Sequence, residues 1–222
     1  MKIIEIIDGA ELTDEDILEH LSRLVPDDSV ELVRTTAVPQ LLERLLKDAP
    51  LRYDFSPLQN GPDEWRVLVC VRERPEPRSV TAYLGWDHDR LDAMLVRALD
   101  LAKRERWDHA RALIADFRTG LFRHIEIEEA ILFPAFDEAT GMVAGGPTEV
   151  MKHDHAVIRE CVEGLWIAAT MKSPDELDQH HASLLGVLVE HNMKEETILY
   201  PTTDRALDHD ERHQLVERMM LQ

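Results

Sequence analysis

Cysteine is scarce in this chain: Cys70 and Cys161 are the only two among 222 residues. They lie far apart and form no C-x-x-C pattern, which excludes a disulfide framework and fits a reducing compartment. Basic residues are also few. Lys and Arg number 25 against 44 Asp and Glu, a net charge of −19. That field disfavours nucleic acid and anionic membrane surfaces as partners, and its plainest consequence is solubility. No apolar run approaches the length of a membrane span. The first twenty residues carry acids where a signal peptide needs an apolar core, so the expected location is cytoplasmic. A nucleophile triad, a Gly-rich phosphate loop and zinc-finger spacing are all missing. The apolar fraction, 44%, is ordinary and suffices for a sizeable core.

What the chain does contain is one stretch written twice. His124-Ile125-Glu126-Ile127-Glu128-Glu129-Ala130-Ile131-Leu132-Phe133-Pro134 returns as His191-Asn192-Met193-Lys194-Glu195-Glu196-Thr197-Ile198-Leu199-Tyr200-Pro201, an offset of 67 residues. The same offset carries His88 onto His155. Each half therefore reads His…His-x-x-x-Glu. The period is that of a two-fold duplication, not of a solenoid.

Around the repeat, the chain divides. Up to about residue 79 short β-prone runs alternate with helical ones. Lys2–Ile7, Ser29–Arg34, Leu51–Phe55 and Glu64–Arg72 read as strands. Thr13 with Asp16 reads as a capping box opening one helix, and Pro39 opens a second. The order β-α-β-α-β-β implies a two-layer α+β sandwich over residues 1–74. Arg74-Pro75-Glu76-Pro77-Arg78 reads as a stiff, solvated boundary, giving a linker at 75–80. Residues 81–206 switch to long helical periods with short breaks, which implies an all-α up-down-up-down four-helix bundle. Residues 207–222 add a short C-terminal helix.

On a helix, residues i and i+4 share a face. His124 with Glu128, and His191 with Glu195, therefore interrupt apolar stripes formed by Leu121, Ile131, Leu132, Leu188, Ile198 and Leu199. An unpaired buried carboxylate is costly, on the order of several kcal/mol. Two carboxylates and four histidines converging in one core call for a pair of divalent ions, with terminal imidazoles and bridging Glu. Register and the apolar neighbours Ile158 and Val162 favour His155 over His153. Glu129 and Glu196 are next to the ligand pair on the helix and read as supporting or surface acids. His20, His109, His180, His181, His209 and His213 have no partner in the repeat and read as surface or helix-end residues. Leu132-Phe133-Pro134 and Leu199-Tyr200-Pro201 read as packing followed by a kink or stop. Met142, Met151 and Met171 read as packing residues.

With these motifs, the bundle resembles a hemerythrin-like domain of the HHE cation-binding family. The resemblance implies a metal set of His88, His124, Glu128, His155, His191 and Glu195. In it His88 and His124 serve one iron, His155 and His191 the other, and Glu128 and Glu195 bridge. It implies two iron ions, with Mn or Zn as substitutes, joined by an oxo or hydroxo bridge. The pattern departs from oxygen-carrying hemerythrins, which use five histidines with one Glu and one Asp. It is closer to proteins that repair iron centres under stress, yet their cysteine-pair N-terminal domain is absent. Residues Val38-Pro39-Gln40-Leu41 and Gly61-Pro62-Asp63-Glu64-Trp65-Arg66-Val67 resemble a small domain of unknown function on the sulfur-carrier fold. Val38 stands where a carrier would hold its Cys, which argues against sulfur transfer, and Cys70 reads as a buried strand residue.

The expected function is a non-haem diiron protein that binds, senses or scavenges O₂, peroxide or NO, or handles iron under oxidative or nitrosative stress. The alternatives are a diiron enzyme (peroxidase, ferroxidase or NO reductase), an iron-centre repair protein, or a metal-stabilised interaction module. In the last, the N-terminal domain would contact a protein partner.

Overall fold

The computed structural model describes residues 5–8, 12–26, 28–35, 38–48, 52–60, 63–71, 79–142 and 145–221. Most of the expected linker at 75–80 lies outside these residues. So do Gly61-Pro62 of the expected turn and the first residues of the strand expected from Lys2. The chain forms two compact units, 1–74 and 75–222.

In the first unit β1 (Glu5–Asp8), α1 (Asp14–Ser22), β2 (Ser29–Arg34), α2 (Pro39–Asp48), β3 (Tyr53–Asn60) and β4 (Trp65–Val71) follow in turn. The sheet order is β1-β2-β4-β3, parallel between β1 and β2 and antiparallel elsewhere. Thr13 and Asp16 form the reciprocal capping box of α1. Ile17 and Leu21 of α1 and Leu41 and Leu45 of α2 pack on Val30, Leu32, Val67 and Val69 of the sheet. β3 runs further than its sequence implied, through Pro57. Proline removes a ladder donor, and β3 tolerates it as an edge strand with an irregularity between Pro57 and Gln59. Cys70 is half-buried, more exposed than a core residue.

The second unit is built on four long helices: α3 (Val80–Lys103), α4 (Trp107–Ile127), α6 (Pro147–Met171) and α7 (Pro174–Lys194). Helices α3 and α4 pack together, as do α6 and α7, and α4 joins the pairs by packing on α6. Short helices α5 (Phe133–Thr140), α8 (Tyr200–Ala206) and α9 (His209–Met220) complete it. Gly141 ends α5 at φ 72°, a left-handed conformation that glycine adopts without a Cβ penalty. Among the described residues no helix is long and apolar enough to cross a membrane.

The prolines of the repeat do not stop their helices. Each follows a π-helical segment, Glu128–Leu132 before Phe133-Pro134 and Glu195–Leu199 before Tyr200-Pro201. There Phe133 N–H bonds back to the Glu128 carbonyl, and Tyr200 N–H to the Glu195 carbonyl, five residues earlier. Proline lacks an N–H and clashes with the carbonyl of an α-helical turn. The wider π turn absorbs that misfit, and helix α5 or α8 then continues. The two segments differ in cover. α9 packs against the first, where Ile131 is buried. Ile198, expected to face the core, is instead 55% exposed.

The end of the bundle is tied to its beginning. The Asp204 carboxylate accepts from Val80 N–H (2.8 Å), Thr81 N–H (3.0 Å) and the Thr81 hydroxyl (2.6 Å), which caps α3 from α8. Ser79 supplies the local cap by accepting from Ala82 N–H at 3.0 Å. Asp204→Ala is expected to lower stability by about 1–2 kcal/mol. Chemical denaturation of the full chain checks this, and a midpoint equal to that of the unaltered protein would refute it.

Candidate metal centre

The helices bring all six repeat residues to one place. His88 comes from α3, His124 from the last turn of α4, and His155 from α6. His191 comes from the last turn of α7, and Glu128 and Glu195 open the two π segments. All six are buried, Glu128 and Glu195 completely (0% exposed). His153 is exposed and outside the group. His209 and His213 are exposed, and His20, His180 and His181 half-buried. His109 sits at a helix end, in the first turn of α4 beside Arg106, and is buried there. Met151 lies in the core, whereas Met142 and Met171 are exposed.

The four Nε2 atoms turn inward. His88 Nε2 and His124 Nε2 are 3.1 Å apart. His155 Nε2 is 3.2 Å from Glu128 Oε2, and His191 Nε2 is 3.0 Å from Glu195 Oε1. Glu195 Oε2 lies 3.4 Å from His88 Nε2, and Glu128 Oε2 3.6 Å from His124 Nε2.

Each outward Nδ1 meets a carboxylate. His88 Nδ1 meets Glu196 at 2.8 Å and His155 Nδ1 meets Glu129 at 2.8 Å. His124 Nδ1 meets Asp87 at 3.0 Å, and His191 Nδ1 lies 3.5 Å from Asp154. Cations back the last two acids, Arg90 on Asp87 at 2.7 Å and Lys194 on Asp154 at 3.1 Å. The pairing obeys the repeat: Glu129 and Glu196 are 67 residues apart, as are Asp87 and Asp154. It also crosses between copies, because Glu129 of the first holds His155 of the second and Glu196 of the second holds His88 of the first. On a π segment successive side chains diverge less than on an α-helix. Glu129 therefore reaches a neighbouring helix from the position beside Glu128. Asp87 and Asp154 are absent from the sequence-based ligand set, although they recur at the repeat offset just before His88 and His155.

With Nδ1–H donated to a carboxylate, an imidazole presents a lone pair at Nε2. Two such lone pairs facing each other at 3.1 Å, as in His88 and His124, require a positive charge between or beside them. Glu128 Oε2, His155 Nε2 and both Glu195 oxygens are buried without a hydrogen-bond partner. Orphaned buried donors and acceptors are rare, and these four point at one another. Their ligand atoms fall into two groups of metal-binding proximity: Glu128, His155, His191 and Glu195, and His88, His124 and Glu195.

The residues 80–203 match the model of the hemerythrin HHE cation binding domain. The chain belongs to that family. No curated protein and no solved structure matches it. An HHE domain binds metal cations, and the buried His/Glu cluster fits such a site.

Among the protein groups alone, protons stand in for that charge. Burial opposes a charged His124, but Glu128 and Asp87 outweigh it and raise the imidazole to about 10. Burial likewise opposes a charged His191, which Glu195 nevertheless raises. Burial would raise Asp87, yet its bond to His124 and the Arg90 charge hold it well below the usual carboxylate range. Burial would raise Glu128 too, but the charges and hydrogen bonds of His124 and His155 together hold it well below the usual carboxylate range. A metal needs the neutral imidazole, so loading must displace these protons. Metal affinity should therefore rise with pH from neutral toward about 10, where His124 loses its proton unaided. Proton release into a weakly buffered indicator on Zn²⁺ addition measures this, and no release at pH 7 would contradict it. Glu129→Gln and Glu196→Gln should each weaken metal affinity by about 10- to 100-fold, because the amide cannot take the Nδ1 proton as strongly. Competition with a chelator of known affinity provides the measure.

Proposed function

We propose that this HHE protein is a non-haem diiron protein that binds, senses or scavenges O₂, peroxide or NO. One observation carries the reading: four imidazoles, three held at Nδ1 by a carboxylate and the fourth with its Nδ1 3.5 Å from one, aim Nε2 at two fully buried glutamates. In this reading His88 and His124 hold one iron, His155 and His191 the other, and Glu128 and Glu195 bridge. Mn or Zn would satisfy the same donors, since His/Glu sites do not select strongly among these ions. Bound iron would supply reversible redox change and coordination of small ligands.

The chain's own part is to hold the donors, orient them and keep bulk water out. Hydrogen bonding at Nδ1 fixes each ring's tautomer and raises its basicity toward the metal. Leu84, Leu91, Leu121, Ile127, Ile158, Val162 and Leu188 are buried along the same helices. A site this deeply buried favours a small ligand over a large substrate.

Metal content and absorption of protein prepared without oxygen, then exposed to air and separately to NO, test the proposal. About two irons per chain and distinct spectral changes with each gas are the expected result, following the two donor groups of the site. His124→Ala and His191→Ala should each lose iron while retaining helical content. One zinc with no spectral response under iron-replete expression would reject the redox reading.

A further inference from the structure

The repeat pairs Tyr200 with Phe133. Both rings lie against a histidine of the opposite copy. Phe133 stacks on His155 with centroids 5.6 Å apart, and Tyr200 lies beside His88 at 5.9 Å. As rings they occupy equivalent places, so the hydroxyl is the difference. It is buried, donates to Glu128 Oε1 at 2.6 Å, and stands 3.4 Å from His88 Nε2 and 3.5 Å from His124 Nε2.

Phe133, the repeat mate of Tyr200, has no hydroxyl to offer Glu195, and neither oxygen of Glu195 has a hydrogen-bond partner. The two carboxylates are thus placed differently. Glu195 offers Oε1 to His191 and Oε2 to His88, one oxygen to each half. Glu128 has Oε1 engaged by Tyr200, and its Oε2 lies nearer His155 (3.2 Å) than His124 (3.6 Å). The donors divide into a group of four and a group of three, and Glu128 falls in the larger only.

We infer that Tyr200 is a positioning residue that makes the two metal positions unequal. By engaging Oε1 of Glu128 it leaves one oxygen of that carboxylate free, nearer His155 than His124, so the His155–His191 position is held more closely than the His88–His124 position. The His88–His124 position has the weaker share of Glu128 and the Tyr200 hydroxyl beside it. The inference rests on the two-metal reading above. It adds what that reading lacks, a cause for asymmetry in a ligand set that is symmetric in sequence.

Calorimetric titration of the metal-free full chain with Zn²⁺ tests it. The unaltered protein should bind two ions in steps separated by about 10- to 100-fold in affinity, the range that a supporting hydrogen bond commands. His191→Ala should abolish the tighter step and His124→Ala the weaker. Tyr200→Phe frees Glu128 Oε1 and should merge the steps. Phe133→Tyr places a phenol toward Glu195 and should merge them by the opposite route, so it carries the test if Tyr200→Phe folds poorly. The double exchange, Phe133→Tyr with Tyr200→Phe, should reverse the order, making His124→Ala the variant that loses the tighter step. Equal steps in the unaltered protein, or steps that stay separated in both single variants, overturn the role of Tyr200 while leaving the two-metal reading intact. Binding of one ion or none overturns the two-metal reading itself, and the inference with it.

Discussion

Everything at the centre of the bundle depends on carboxylates gripping the outer nitrogens of histidines on neighbouring helices. Without Glu129, Glu196, Asp87 and Asp154, the imidazoles could rotate or change tautomer, and their Nε2 atoms would no longer converge. The bonds run between helices: α3 to the segment after α7, α6 to the segment after α4, α3 to α4. They therefore do two things at once. They aim ligands inward, and they fasten the four long helices around a core that is polar at its middle. A bundle with six ionisable groups at its centre would otherwise face a severe desolvation penalty.

The duplication explains the near-symmetry, and the departures from it are as informative as the agreement. α9 covers one π segment and leaves Ile198 of the other exposed. Arg90 backs Asp87 deep in the core, whereas Lys194 backs the more accessible Asp154. Tyr200 carries a hydroxyl that Phe133 lacks. Each difference alters the surroundings of one half while the six repeated side chains stay the same. The cluster thus keeps its repeated residues although its two sides differ.

Much of this architecture is legible in the order of residues alone. The offset of 67 residues links His88 to His155, and helical spacing puts His124 with Glu128 and His191 with Glu195. The change from mixed strand and helix patterns to long helical periods marks the boundary between architectures. Other features are hidden because they depend on backbone geometry that residue spacing assumes to be uniform. Pro134 and Pro201 read as helix kinks or stops under α-helical rules, but π turns accommodate both. The same turns make Glu129 and Glu196 partners of histidines, where ideal α-helical angles would send them away from Glu128 and Glu195. Pro57 shortens the expected third strand, since an edge position cannot be read from that segment alone.

Residue identity and periodicity are sufficient for the repeat, the six inward donors and the bundle that presents them, because a helix converts regular spacing into a shared face. They cannot say which acid meets which imidazole: Glu129 and His155 lie 26 residues apart and His88 and Glu196 108 apart, each pair on different helices. Nor can they say that one phenolic hydroxyl donates to Glu128. Contacts of that kind follow from how far each helix is rotated and displaced against its neighbours, and that is set by packing across the whole core.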